Sequence, residues 1–220
     1  DMIEHFEQLL KLGSSRNYYD ILLYHFLAGM TNSKLFDDIE LFGMIPSSDC
    51  SLNPDIFSFM HQIRIIKGKH IPRSSSNGEN ILLRTSPKQK AHLSYSANQR
   101  IDMGASDEFK TICINPDFKN KISSLKKSGK FNVCIFDDYM THGNSFNAVR
   151  NLLQHLGANK IIFVSLGNFG KPFQKKNYIL TGDVYTTGYT FDLINSSTKY
   201  LTYNDTAKAE VSELYDIFNS

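Results

Sequence analysis

The chain has 220 residues, 41% hydrophobic and 21% charged, an ordinary make-up for a globular protein of one domain or of one domain with an appendage. A formal net charge of +2 is too small to imply a nucleic-acid partner, and the longest apolar stretch, Ile21 to Met30, is too short to span a bilayer and contains His25. Three scattered cysteines, Cys50, Cys113 and Cys134, argue against a disulfide framework and for a reducing, cytoplasmic setting. No basic-plus-apolar leader pattern opens the sequence. It begins with Asp1 and not Met, as expected of a trimmed chain or of one part of a longer polypeptide.

Residues 1–38 read as an N-terminal helical segment. Ile3, Phe6, Leu9 and Leu10 follow helical spacing, as do Ile21, Tyr24, Leu27 and Ala28. Ile39 to Ile45 predicts a strand, closed by Pro46 and the polar Ser47-Ser48-Asp49. A helix follows with clear punctuation: Asn53 as N-cap, Pro54 in the first turn, Gly68 past the end, and Ile56, Phe59, Met60, Ile63 and Ile66 as the apolar stripe. Residues 73–80 form a loop by composition. Ile81 to Leu83 predicts a short strand, and a polar, mobile segment runs from Ser86 to Gly104. Phe109 to Ile114 and Val133 to Phe136 predict strands, the second with the continuous apolar run of a central parallel strand. A loop, a helix over Phe146 to Leu156 ended by Gly157, and a strand from Ile161 to Leu166 complete a βαβ crossover, which requires a parallel sheet. Residues 168–220 read as a C-terminal extension. Irregular β structure is expected to 204, then a helix capped by Asp205 with Val211, Leu214, Ile217 and Phe218 inward.

The chemistry is concentrated in Val133-Cys134-Ile135-Phe136-Asp137-Asp138-Tyr139-Met140-Thr141-His142-Gly143-Asn144-Ser145. An apolar strand ends in two acids, a turn with Thr141, Gly143 and Ser145 follows, and a helix begins. In an open α/β sheet, ligands bind beyond the carboxyl ends of the strands, and N–H groups at the next helix N-terminus favour an anion there. Gly143 lets the backbone close around a phosphate, and Thr141 and Ser145 add hydroxyl donors. Charge-assisted bonds of this kind contribute roughly 1.5–3 kcal/mol each. Two carboxylates beside a phosphate would repel it, so they make sense as acceptors for a polyol or as ligands helping to hold Mg²⁺. Phosphate at one end and diol at the other describe a ribose 5-phosphate.

The run DDYMTHGNS after an apolar strand resembles the signature with which type I phosphoribosyltransferases bind 5-phosphoribosyl-1-pyrophosphate (PRPP). The resemblance implies a Rossmann-like α/β parallel sheet flanked by helices, covering residues 39–167, with a small hood over the site. It places Asp137 and Asp138 on the ribose hydroxyls and near the metal, and Thr141, His142, Gly143, Asn144 and Ser145 around the 5′-phosphate. Other segments resemble the family in the same order. Met44 to Asp49, with Ser47 and Ser48, matches the pyrophosphate-binding loop. Leu83 to Lys90 with Asn98-Gln99-Arg100 matches the mobile loop of ComF-like members. That match implies that Arg84 and Arg100 reach the pyrophosphate, with Lys88 and Lys90 as further cations. The Arg-Gly-Phe of the ComF pyrophosphate loop is replaced by Ser51-Leu52-Asn53. Orotate-type and ComF-like members are the nearer pattern, since the acid that some purine-salvage members carry at the position of Thr141 is absent.

Other features have plainer readings. Asp183-Val184-Tyr185-Thr186-Thr187-Gly188 echoes the signature but has one acid and a strand-forming Thr190-Phe191 after it, so it reads as structural. Tyr185, Tyr189 and Phe191 suit either a base-stacking hood or a small aromatic β core. The seven histidines show no metal-ligand spacing. The functional expectation is a transferase: phosphoribose passes from Mg²⁺-PRPP to a nitrogen nucleophile such as a nucleobase, with release of pyrophosphate. The alternative is a PRPP- or nucleotide-sensing module without turnover. No membrane partner is expected, and a homo-oligomer or a place in a larger polypeptide suits either reading.

Overall fold

A computed structural model describes residues 19–69, 80–88, 96, 99, 101–102, 104–200 and 206–218. The expected helix around Ile3 to Leu10, residues 73–79, Lys90, Asn98, Arg100 and the Asp205 cap lie outside the described residues. The chain divides into two compact units, residues 1–38 with 201–220, and residues 39–200. The segment 168–220, read from sequence as one extension, is thus divided between them at 200/201. Among the described residues no helix is long and apolar enough to cross a membrane.

The first unit contains helix α1 (Tyr19–Asn32), a 3-10 turn (Lys34–Phe36) whose N-terminus is capped by the Ser33 hydroxyl, and the terminal helix α6 (Thr206–Phe218). On α1 the buried residues are Ile21, Leu23 and Met30, while Tyr24 and Ala28, expected inward, are exposed. Ile217 is likewise exposed on α6, and Leu214 is half-buried.

The second unit is built on a three-stranded parallel sheet in the order β1 (Leu41–Met44), β4 (Asn132–Met140), β5 (Lys160–Asn168). Val133 to Phe136 are fully buried at its centre, as their continuous apolar run requires. Helix α2 (Pro54–Ile66) packs on one face, with Phe59 edge-on to Phe136 at 5.9 Å. Helix α5 (Asn144–His155) packs on the other, with Phe146 stacked on Phe163 at 4.6 Å. Phe136 pairs with Val164, the neighbour of Phe163, so strand alternation puts the two contacts on opposite faces. The result is an α/β layered core with a direct β4–α5–β5 crossover. Asn53 caps α2 through the N–H groups of Asp55 and Ile56, and Gly68 takes φ 65 after its end. Ile66, expected on the buried stripe, lies past its last inward turn and is exposed.

Two antiparallel pairs complete this unit: β2 (Leu82–Arg84) with β3 (Ile112–Ile114), and the hairpin β6 (Phe173–Thr181) with β7 (Thr190–Lys199). The hairpin replaces the irregular structure expected over 168–204, and the signature-like run from Asp183 to Gly188 is its connecting loop. Phe109, expected at the start of a strand, instead ends the short helix α3 (Ser106–Phe109). Helix α4 (Lys119–Lys127) follows a 3-10 turn opened by Asn115-Pro116, where the Asn115 side chain accepts from the N–H of Asp117.

Asparagine side chains close the inner edges of these small sheets. The Asn80 carboxamide accepts from the N–H of Met44 and donates to its carbonyl, both at 2.9 Å, as a neighbouring strand would. On α5, one turn apart, Asn147 accepts from the N–H of Lys176 at 3.0 Å and donates to the Gln174 carbonyl. Asn151 accepts from the N–H of Tyr178 at 2.9 Å and donates to the Lys176 carbonyl at 3.0 Å. The hairpin is therefore bonded to the helix through its backbone. Removing such a partner leaves a desolvated N–H, which costs about 1–3 kcal/mol. Asn151→Ala is expected to lower the stability of the protein by that amount in urea unfolding, whereas Thr198→Ala on the exposed hairpin face should shift it by less than about 0.5 kcal/mol.

Candidate functional site

The carboxyl ends of β1 and β4 are adjacent, because Met44 pairs with Phe136. β1 leads into Ile45-Pro46-Ser47-Ser48, and β4 leads through Thr141-His142-Gly143 into α5. The Ser47–Ser51 turn is closed by Ser47 N–H to the Ser51 carbonyl at 2.8 Å, and Cys50 takes the left-handed φ of 71 within it.

β4 is longer than its apolar run. Asp137, Tyr139 and Met140 remain paired with Ser165, Gly167 and Asn168 of β5, so the acids lie on the strand and not in the loop expected there. Gly167 permits this, since a Cβ at that position would fall 2.3 Å from the Tyr139 ring that lies across it. Asp137 Oδ1 accepts from the N–H of Asp138 at 3.0 Å, and Asp138 Oδ1 from the N–H of Tyr139 at 2.6 Å. Burial pushes the Asp137 carboxyl well above the usual carboxylate range, and the neighbouring Asp138 and Glu108 charges push the same way.

Gly143 is the residue before α5. Its φ of 77 is left-handed, and it offers no side chain to cap the helix, whose first N–H groups have no intrahelical partner. The reason for glycine differs from the sequence expectation. A Cβ there would meet the Phe173 ring at 2.1 Å, so that side of the turn is covered by β6 and not open to a phosphate. The His142 carbonyl accepts from the N–H of Gln174 at 3.1 Å, and the His142 side chain is buried. The turn is thus held to the hairpin on one side, and Thr141, Asn144 and Ser145 in and after it are half-buried.

Glu108 on α3 joins these pieces, and no local spacing in the sequence marks it. Its side chain is 3% exposed. Oε2 accepts from Arg84 at 2.8 Å, and Oε1 accepts from Ser145 Oγ at 2.8 Å and from the Lys88 ammonium. Burial alone would raise its pKa, but the Lys88 and Arg84 charges overcome that and hold it at about 2. Arg84 also donates to the Ser47 carbonyl at 2.8 Å, the Pro46 carbonyl at 3.2 Å and Thr111 Oγ1 at 2.5 Å. Its role therefore differs from the expected mobile cation: it is the last residue of a strand, buried, and fixes the Pro46-Ser47 loop. Lys88 is tied to the same loop by its N–H to the Ser48 carbonyl at 2.9 Å. Arg84, Lys88 and Ser145 thus meet around one carboxylate, and Arg84 and Lys88 in turn hold the Ser47 and Ser48 carbonyls.

The hairpin aromatics fall into the core. Phe109 packs against Tyr178 and Phe191 at 4.9 Å each and against Tyr189 at 6.1 Å, and Tyr189 donates to the Ile112 carbonyl at 2.7 Å. Tyr185 lies under the Lys119 ammonium at 5.1 Å. Cys113 and Cys134 are buried and unbridged. Comparison with protein-family models finds no matching family, and comparisons with curated proteins and with solved structures find no matching chain.

Two consequences are measurable. Asp137 has its pKa raised in the folded state, so its charge opposes folding at neutral pH and the opposition fades as pH falls toward the ordinary value of about 4. Asp137→Asn keeps the acceptor for Asp138 N–H and is expected to raise the thermal midpoint at pH 7–8, with the gain vanishing near pH 4. Gly143→Ala should lower stability by about 2 kcal/mol or more through its positive φ and the Phe173 overlap, and Phe173→Ala in the same chain should restore part of that loss.

Proposed function

We propose that the chain is a phosphoribosyltransferase-like protein that binds PRPP at the carboxyl ends of β1 and β4. The observation that carries this reading is convergence. Two segments that resemble separate parts of a PRPP site, Met44–Asp49 and Asp137–Ser145, leave adjacent parallel strands and are joined through Arg84, Lys88 and Glu108.

In this reading Asp137 and Asp138 accept hydrogen bonds from the ribose hydroxyls, which fixes the sugar. The α5 N-terminus with Thr141, His142, Gly143, Asn144 and Ser145 holds the 5′-phosphate through backbone N–H groups and hydroxyls. Ser47, Ser48 and Lys88 face the pyrophosphate, and Arg84 keeps their loop in place. The β6–β7 hairpin, bonded to α5, serves as the hood. In the reaction the bond from C1′ to the pyrophosphate oxygen breaks, a bond from C1′ to the acceptor nitrogen forms, and the proton on that nitrogen passes to the departing pyrophosphate. Mg²⁺ carried by ligand phosphates takes only one or two protein carboxylates, in this reading Asp137 and Asp138. When bound, it would supply charge neutralisation for the pyrophosphate.

The sensing alternative has one observation in its favour: Arg84 and Lys88 are both paired with Glu108 in this structure, so neither faces a leaving group unpaired. Calorimetry with PRPP and Mg²⁺, combined with pyrophosphate detection over a nucleobase panel, separates the cases. Binding with pyrophosphate release supports the transferase. Tight binding without release from any base supports the sensor. Asp138→Asn should weaken PRPP binding at least about tenfold, the worth of a lost hydrogen bond to a charged group. Unchanged affinity in the folded variant would refute the assigned site.

A further inference from the structure

The donors expected to meet the ligand's phosphates already have an anion among them. Lys88 and Ser145 share Oε1 of Glu108, and Arg84 takes Oε2. These three contacts are not equally fixed. The Arg84 side chain is 1% exposed and has three further acceptors, so it stays with Glu108. The Lys88 side chain is 21% exposed on a flexible four-carbon stem, and the Ser145 hydroxyl needs only a rotamer change to turn away. Lys88 lies four residues after the end of β2, where its backbone is anchored to the Ser48 carbonyl.

We propose that Glu108 is a resident anion that holds the phosphate donors until a ligand arrives, and that Lys88 and Ser145 leave it for the pyrophosphate and 5′-phosphate of an incoming ligand. Glu108 thereby sets how tightly the site binds phosphate groups. A ligand with a single weak charge does not displace the Lys88–Glu108 pair, whereas a pyrophosphate carries enough charge to compete for the ammonium. After Lys88 departs, Glu108 retains Arg84, so its charge is not left bare. The identity of the ligand rests on the PRPP reading, but the exchange itself does not.

The test is calorimetric titration of the whole chain with inorganic pyrophosphate. Glu108→Gln keeps the size and one acceptor oxygen but removes the competing charge, and it should bind pyrophosphate about tenfold more tightly than wild type. Lys88→Met should bind about tenfold more weakly, and the double variant should match Lys88→Met, since the gain passes through that ammonium. Glu108→Asp, which keeps a charge beside Arg84 but draws it back by one methylene, covers the case in which the Gln variant does not fold, and it should shift affinity in the same direction. Unchanged or weaker binding in the folded Glu108 variants, or unchanged binding in Lys88→Met, would overturn the proposal. PRPP and ribose 5-phosphate are titrated alongside. If neither binds wild type while pyrophosphate responds to Glu108 as described, the exchange stands and the PRPP reading falls; if PRPP binds but the Glu108 variants do not respond, the reverse holds.

Discussion

Sheets of two or three strands leave rows of backbone donors and acceptors along their edges, and a buried edge must be paired or the fold loses free energy for each orphaned group. Here the pairing is done by carboxamides. Asn80 meets both backbone polar groups of Met44, and Asn147 with Asn151 meets alternate residues of β6 from Gln174 to Tyr178. A carboxamide carries one acceptor and two donors, so it can stand in for a strand neighbour at a single position without a strand. Helix spacing does the rest: residues one turn apart on α5 face the same side, and their reach matches the repeat along a strand. The hairpin that supplies Phe173 over Gly143 is therefore registered against the helix that opens the candidate site, and the turn between β4 and α5 cannot shift independently of β6.

The second organising constraint is charge placement. The strand carrying Asp137 and Asp138 ends beside a helix N-terminus, where a pair of carboxylates is self-repelling and partly desolvated. The raised pKa of Asp137 records that tension. Glu108, whose charge acts on Asp137, is in the opposite condition, held ionised by two cations. Two neighbouring carboxylates thus differ in proton affinity because of surroundings alone, one without a cation and one with two. On the proposed PRPP reading, a polyol that donates hydrogen bonds relieves the first environment, and a strongly charged phosphate competes in the second.

Much of the core was legible because it depends on local rules. The apolar run Val133–Phe136 could only be a buried strand, and Asn53-Pro54 with Gly68 bracketed α2 within a residue or two. The same Asn-Pro signal at Asn115-Pro116 opens the turn before α4, a helix that its polar composition hid. What escaped depends on distant partners. β4 outran its apolar residues because Gly167, twenty-eight positions from Tyr139, clears space for the ring. Ile66 and Tyr24 satisfy helical periodicity, yet both side chains are exposed. β5 has the composition of a central strand but is an edge of the sheet, half-buried along its length.

At the site the division is sharper. The strand–turn–helix order over Asp137–Ser145 was legible because it lies within one βα connection. Arg84 and Glu108 are defined by each other across twenty-four residues, and neither is unusual in its local sequence. An arginine next to a polar segment looks like a mobile cation until a buried carboxylate is found beneath it. Two buried cations placed close together repel one another, and burial makes the repulsion worse. Glu108 offsets that repulsion by pairing with both Arg84 and Lys88. Under the exchange proposed above, the stabilisation that Glu108 gives this cluster is the same free energy that an incoming anion must exceed, so one residue both holds the cluster together and limits which anions enter it.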